Sequence, residues 1–168
     1  MIYSNYKTEY LINIFRYKER SIILVFMVLI SFFITLSTSV IISYFAGDGV
    51  FYIDYLDDLS ATAVFAITVV FAPLIETFLY QFLIIEVLLF IRKWIHIPLF
   101  IPITVSAIAF GMSHDYNVYY ICSASLIGIL YAIFYLIAKY NVSMNAFISV
   151  TIVHASTNFM GFMLDQIR

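Results

Sequence analysis

Four polar side chains stand inside or at the edge of long apolar stretches, and all four are of types that take part in hydrolysis. They are Glu76 in FAPLIETFLYQF, His114 in AFGMSHDY, and His154 with Asn158 in TIVHASTNF. A charged side chain in hydrocarbon costs at least about 2–3 kcal/mol, so an ionisable residue there indicates a functional site. His154 and Asn158 are four residues apart and therefore share one face of a helix.

Together these residue types suit the hydrolysis of an amide. A glutamate removed from bulk water is a better proton acceptor near neutral pH, and with His114 beside it Glu76 can take a proton from water. The imidazole of His154 and the amide of Asn158 can donate hydrogen bonds to a developing oxyanion.

Structural interpretations of the same residues stay open. Glu76 can be hydrogen-bonded to a neighbouring helix, His114 can be a helix-end residue, and His154 with Asn158 can hold two spans together. Glu86 has mainly a structural interpretation, because it lies near the basic pair 92–93 and can reach toward the membrane interface.

The composition decides what kind of protein must position these side chains. Of the 168 residues, 64% are hydrophobic and 11% are charged, with a mean hydropathy of +1.04, whereas soluble domains carry about 25% charged residues. The chain is therefore predicted to be a polytopic membrane protein. A single cysteine excludes an internal disulfide and a cysteine-built zinc site. A net charge of −2 gives no basic surface for nucleic acid.

Charges fall in clusters, and the gaps between them predict an all-α bundle of about five transmembrane helices, since open sheet edges cannot lie in lipid. The predicted spans are about 21–45, 62–91, 97–114, 118–138 and 142–164. The divisions that follow are 1–20, a cytoplasmic or interfacial segment; 21–47, an anchor helix; 48–61, an acidic outer loop; and 62–164, the core with the polar residues. The uncharged stretch 21–47 is too long for the apolar region of a cleaved signal peptide, so a retained anchor is favoured.

Basic residues predict the orientation. With the N-terminus in the cytoplasm, seven of the eight lysines and arginines lie in inner segments, and the outer loops hold five aspartates and no base. His114 then lies near the outer end of its span, whereas Glu76 and His154 are nearer the middle. For them to meet, the third helix must be short or tilted, or the turn 114–118 must dip inward, and that turn is predicted to be packed against protein.

The chain resembles the CPBP intramembrane proteases, also known as the CAAX protease and bacteriocin-processing, or Abi, family. That family carries EExxxR, FxxxH and HxxxN motifs on three transmembrane helices. This sequence has ETFLYQ at 76–81, FGMSH at 110–114 and HASTN at 154–158, in the same order. Pro73 and the stretch SLIGILYAIFY also fit the family pattern, and the resemblance covers about residues 62–164.

The resemblance implies proteolysis without a metal. Glu76 corresponds to the catalytic base, His114 helps it to activate water, and His154 and Asn158 stabilise the oxyanion. Phe110 matches a motif position and is expected to serve packing. A zinc ion is a disfavoured alternative, because one glutamate and two histidines are a legitimate zinc set but no HExxH motif occurs.

The first motif departs from the family pattern. Thr77 stands at the position of the second glutamate and Gln81 at that of the arginine. These positions are four apart, so the usual residues can form an ion pair, and here both are neutral together. Thr77 and Gln81 can still hydrogen-bond with each other, and they are interpreted as supporting residues.

The sequence therefore predicts an intramembrane endopeptidase, embedded in the bilayer of a bacterial cell membrane, that acts on a membrane-associated peptide or protein. The alternative is a non-catalytic membrane scaffold or a bacteriocin self-immunity protein. A small transporter with Glu76 as its proton or cation site is a third hypothesis. Five spans without an inverted repeat count against the transporter.

Overall fold

A computed structural model describes residues 14–16 and 18–165, and within them the chain is helical with no strand. The five apolar helices are α1 Arg20–Ala46, α2 Ala61–Ile91, α3 Phe100–Met112, α4 Val118–Tyr140 and α5 Ala146–Asp165. The predicted all-α bundle is confirmed. Most of the predicted segment 1–20 lies outside the described residues.

The third helix is much shorter than the others. Helices α1, α2, α4 and α5 are long and apolar enough to cross a membrane. Helix α3 has 13 residues, about 20 Å of helix, against a hydrocarbon core of about 30 Å. The helix predicted over 97–114 is present, and it is shorter than predicted. The helix ends early because Ser113 Oγ and His114 Nδ1 both bind the carbonyl of Phe110, at 2.7 and 2.8 Å.

Helix α2 is continuous but irregular. Two π-helical segments, Ala66–Phe71 and Thr77–Leu83, flank a single α-helical stretch, Ala72–Glu76. π-Helical turns inside α-helices are frequent at functional sites, because they leave backbone carbonyls available and rotate the side chains that follow. Glu76 is the last residue before the second of these segments.

Helix α4 is the centre of the bundle and contacts α3 at backbone distance. It contains the largest group of buried side chains, including Tyr131, Phe134 and Tyr135. A Cβ on Gly111 of α3 would overlap with Ser125 Oγ of α4, and one on Gly128 of α4 would lie 3.0 Å from a ring atom of Phe110 of α3. Small residues at both positions let the two helices approach closely.

Helix α1 packs on α4 and α5 with one face only. Ile23, Met27 and Ser31 are buried at intervals of four residues, and most other side chains of α1 are at least partly exposed. Ser31 Oγ lies 2.5 Å from Thr157 Oγ1 of α5, so a polar contact adds to the apolar packing.

Short polar contacts close the two ends of the bundle. At one end, Asn117 Nδ2 donates to the carbonyl of Val50 in the loop between α1 and α2, at 2.7 Å. His114 and Asn117 are half-buried there, but residues 115, 116 and 118 are exposed. The prediction of a packed 114–118 turn is thus wrong for these three, because the loop covers the turn only on the Asn117 side.

The opposite end is held by an ion pair and by the N-terminal segment. Lys139 Nζ and the Tyr135 hydroxyl both donate to Glu86 Oε1, each at 2.6 Å. Glu86 thus has the structural surroundings that the sequence favoured, and its hydrogen-bond partners lie on α4. Asn141 Nδ2 donates to the carbonyls of Phe15 and Lys18, at 2.5 and 3.1 Å, which ties the residues just before α1 to the α4–α5 turn.

Candidate active site

Three of the four predicted site residues meet between helices. Glu76 Oε2 lies 3.9 Å from His114 Nε2 and 3.6 Å from His154 Nε2. The side chain of Glu76 is 23% exposed, that of His114 17% and that of His154 4%. A partly accessible carboxylate therefore faces two imidazoles that come from other parts of the chain.

The short third helix explains how residues of different predicted depth come together. Glu76 and His154 lie near the middle of α2 and α5. Because α3 ends at Met112, His114 lies at the same level along the bundle as the middle of the longer helices α2 and α5. The shortness of α3 therefore explains how His114 can lie beside Glu76 and His154.

The two ring nitrogens of His114 have different roles. Nδ1 lies 2.8 Å from the carbonyl oxygen of Phe110, and a carbonyl can only accept a hydrogen bond, so Nδ1 carries the proton in the neutral ring. Nε2 then presents a lone pair toward Glu76. The ring is stacked on Tyr120, with centroids 5.7 Å apart and planes at 14°, which holds its orientation.

His154 is buried among aromatic rings. Its ring centroid is 4.8 Å from that of Tyr131 and 5.6 Å from that of Phe110. Within the described residues its Nδ1 has no hydrogen-bond partner, so Nε2 is the nitrogen directed at the site. Tyr131 lies within the stretch SLIGILYAIFY, which fits the family pattern, but the sequence did not predict that its ring would pack against His154.

Asn158 lies one turn from His154 on the same face of α5. Its Nδ2 donates to the carbonyl of Thr68, at 2.8 Å. Thr68 belongs to the first π-helical segment of α2, so this bond joins α5 to the irregular part of α2. The structure places Asn158 at the edge of the three-residue group, bound to backbone.

The three supporting residues are all buried, with different surroundings. Phe110 packs against the rings of both histidines, 4.8 Å from His114. Thr77 and Gln81 are fully buried, and their side-chain polar atoms have no hydrogen-bond partner within the described part of the chain. The hydrogen bond that Thr77 and Gln81 could form with each other is therefore absent, and both residues lie in the second π-helical segment of α2.

The described residues also include no group of three or more histidine, cysteine, aspartate or glutamate side chains arranged to hold a metal ion. Glu76, His114 and His154 are nevertheless of residue types that can bind zinc.

Comparison with protein families identifies the chain. The model of the family described as Type II CAAX prenyl endopeptidase Rce1-like matches residues 58–160. The chain belongs to this family. The match includes all four candidate site residues and begins after α1. The Rce1-like family is a family of CAAX proteases, and with four helices long enough to cross a membrane the chain is an integral membrane protein. No curated protein and no solved structure matches the chain.

Proposed function

We propose that the protein is an intramembrane endopeptidase that hydrolyses a peptide bond of a membrane-associated peptide or protein, with its N-terminus in the cytoplasm of a bacterial cell. The observation that carries this proposal is the position of the Glu76 carboxylate, 3.9 and 3.6 Å from two imidazole nitrogens in a partly accessible site. Membership in the Rce1-like family supports a peptide substrate.

Water activation follows from the separation of Glu76 and His114. A distance of 3.9 Å is too long for a direct hydrogen bond, and a water molecule between the two atoms bridges such a gap. Both groups are acceptors when Glu76 is ionised, because the Nδ1 proton of His114 is bound to Phe110. The water donates one hydrogen to each, and its lone pairs point away from them toward a substrate.

Attack of this water on the substrate then forms a tetrahedral oxyanion. The water oxygen bonds to the carbonyl carbon of the substrate while one proton moves to Glu76. The Nε2–H of His154 and the second amide hydrogen of Asn158 donate to the oxyanion. The carbon–nitrogen bond breaks as Glu76 returns its proton to the leaving nitrogen, and the products are a carboxylic acid and an amine.

Glu76→Gln tests this proposal, since an amide keeps the shape of the side chain but cannot accept the proton. Full-length protein in liposomes would be given fluorogenic peptides, with and without a farnesylated CAAX end. We expect Glu76→Gln to lower the cleavage rate by about 10²–10⁴-fold. A metal chelator should leave the wild-type rate unchanged, because no metal takes part.

Glu86→Gln is the matched control, because Glu86 lies on the same helix but is paired with Lys139 far from the site. It should retain cleavage. Equal rates for wild type and Glu76→Gln would exclude Glu76 as the base. A wild-type protein that cleaves none of the peptides would favour the non-catalytic scaffold, and loss of activity with a chelator would favour zinc.

A further inference from the structure

The loop between α1 and α2 lies against the side of the candidate active site that holds His114. It begins at Gly47, whose φ of 97° lets the chain turn away from the end of α1. A single 3₁₀ turn, Asp48–Phe51, follows and brings Val50 and Phe51 to the first turn of α4. This part of the loop precedes the family match, which begins at residue 58.

Two separate contacts join the loop to Tyr120 of α4. The ring of Phe51 meets that of Tyr120 edge to face, with centroids 5.6 Å apart and planes at 61°. The Asn117 side chain joins the two backbones, because its Nδ2 donates to the carbonyl of Val50 at 2.7 Å and its Oδ1 accepts from the Tyr120 N–H at 3.0 Å. One amide therefore fixes the loop and Tyr120 relative to each other.

Tyr120 in turn fixes the plane of the His114 ring. The two rings are stacked, with centroids 5.7 Å apart and planes at 14°. Nδ1 of His114 is held 2.8 Å from the carbonyl of Phe110, but a hydrogen bond at one nitrogen leaves the ring free to tilt about that contact. A second ring against its face opposes this tilt. The position of Nε2, 3.9 Å from Glu76 Oε2, therefore depends on both contacts.

The tilt of His114 matters because the proposed water must donate to Nε2 and to the Glu76 carboxylate together. A tilt of the ring changes the separation of these two acceptors and so the position of the water. A displacement of about 1 Å at a reacting group can lower a rate by about 10²-fold, even when the substituted residue is distant from the chemistry.

We propose that Phe51 and Asn117 are positioning residues, which act through Tyr120 on the imidazole of His114, and that the α1–α2 loop thereby completes the active site. The effect on catalysis rests on the proposed function, whereas the effect on the His114 ring does not. The functional site then extends into a loop residue that the family match does not include.

Phe51→Ala tests the ring contact. We expect it to lower kcat by about 10–100-fold and to leave KM close to the wild-type value, because the residues proposed to contact the substrate stay in place. Phe51→Tyr keeps an aromatic ring and should restore kcat. Phe45→Ala is the matched control, since Phe45 is exposed at the end of α1 and packs on Tyr44. Equal kcat for Phe51→Ala and Phe45→Ala would overturn the role of Phe51.

A double variant shows whether Phe51 acts through Tyr120. Tyr120→Leu removes the ring that stacks on His114, so a further Phe51→Ala change should have no additional effect on kcat. Residues that act through one contact are not additive in this way, whereas independent residues are. A double variant whose loss is the product of the two single losses would overturn the route through Tyr120.

Asn117→Ser tests the backbone contact. Serine is also a good N-cap residue, so the start of α4 keeps its cap, but the shorter side chain cannot reach the carbonyl of Val50. We expect kcat to fall and KM to stay, as for Phe51→Ala. An unchanged kcat would overturn the role of Asn117.

NMR of the full-length protein with isotope-labelled histidine, in detergent, measures the ring contact without any cleavage. A stacked aromatic ring shifts the imidazole proton signals of His114, which are identified by their loss in His114→Ala. Phe51→Ala and Tyr120→Leu should move these signals and leave those of the exposed His96 unchanged.

The two measurements separate this inference from the proposed function. If the wild type cleaves no peptide but the His114 signals move in Phe51→Ala, the protease function fails and the positioning of His114 stands. If the wild type cleaves and Phe51→Ala changes neither kcat nor the signals, the positioning fails and the protease function stands.

Discussion

At the scale of single residues, the orientation of His114 decides what the site can do. Its Nδ1 is bound to the carbonyl of Phe110, so the neutral ring meets Glu76 with an acceptor. Two acceptors facing each other at 3.9 Å suit a water molecule that donates to both. In the proposed mechanism His114 acts on the water, and His154 and Asn158 contact the substrate.

His114→Ala should therefore lower kcat by about 10²–10⁴-fold and leave KM close to the wild-type value. The peptide cleavage assay with varied substrate concentration separates the two constants. His96→Ala is the control, because His96 is exposed in the turn between α2 and α3. A raised KM with unchanged kcat would place His114 in substrate binding instead.

At the scale of helices, the position of His114 depends on how α3 packs against α4. Gly111 lies three residues before His114 and faces Ser125 at a distance that leaves no room for a methyl group. The carbonyl of Ile121 would lie only 2.8 Å from the same added Cβ. Since backbone cannot rotate away as a side chain can, a larger residue at 111 must move α3 as a whole.

Gly111→Ala should accordingly lower both stability and activity, with a loss of about 1–3 kcal/mol in the free energy of unfolding. Gly161→Ala is a matched control, since an added Cβ at Gly161 of α5 meets nothing within 4 Å. It should be neutral or stabilise by up to about 1 kcal/mol. Thermal unfolding and the cleavage rate measure the two effects, and equal behaviour of both variants would contradict close packing of α3 on α4.

At the scale of the whole molecule, charge is separated between the two ends of the bundle. Arg92, Lys93 and Lys139 lie at the end where Asn141 binds the N-terminal segment. Asp58 and Asp115 lie at the other end, where the α1–α2 loop meets the α3–α4 turn. The positive-inside rule then predicts that the basic end faces the cytoplasm.

Cysteine labelling tests this orientation. The free and exposed Cys122 would first be replaced by serine. Asp58→Cys should then react with a membrane-impermeant maleimide added to intact cells, and Lys93→Cys should react only after the cells are opened. Both side chains are exposed, so the reverse pattern would show that the N-terminus lies outside.

Much of the site was predictable because membrane helices leave few choices. Polar residues in apolar stretches must face the protein, and the three motifs on separate helices were expected to meet. The structure confirms that an imidazole nitrogen of His114 and one of His154 lie 3.9 and 3.6 Å from the Glu76 carboxylate. The catalytic roles of the three residues stay predictions. The pairing of Glu86 with Lys139 and the bond from Asn158 to Thr68 were missed, because each joins residues far apart in the chain.

The sequence by itself determined the all-helical membrane architecture, the family motifs and the segregation of charge, since each of these depends only on residue type and spacing along the chain. Tertiary structure alone decided where α3 ends, how α2 departs from regular α-helix, and that the buried side chains of Thr77 and Gln81 have no hydrogen-bond partner within the part of the chain that the structure describes. These features depend on the local course of the backbone and on which helices cover each side chain, and residue spacing along one helix does not specify either.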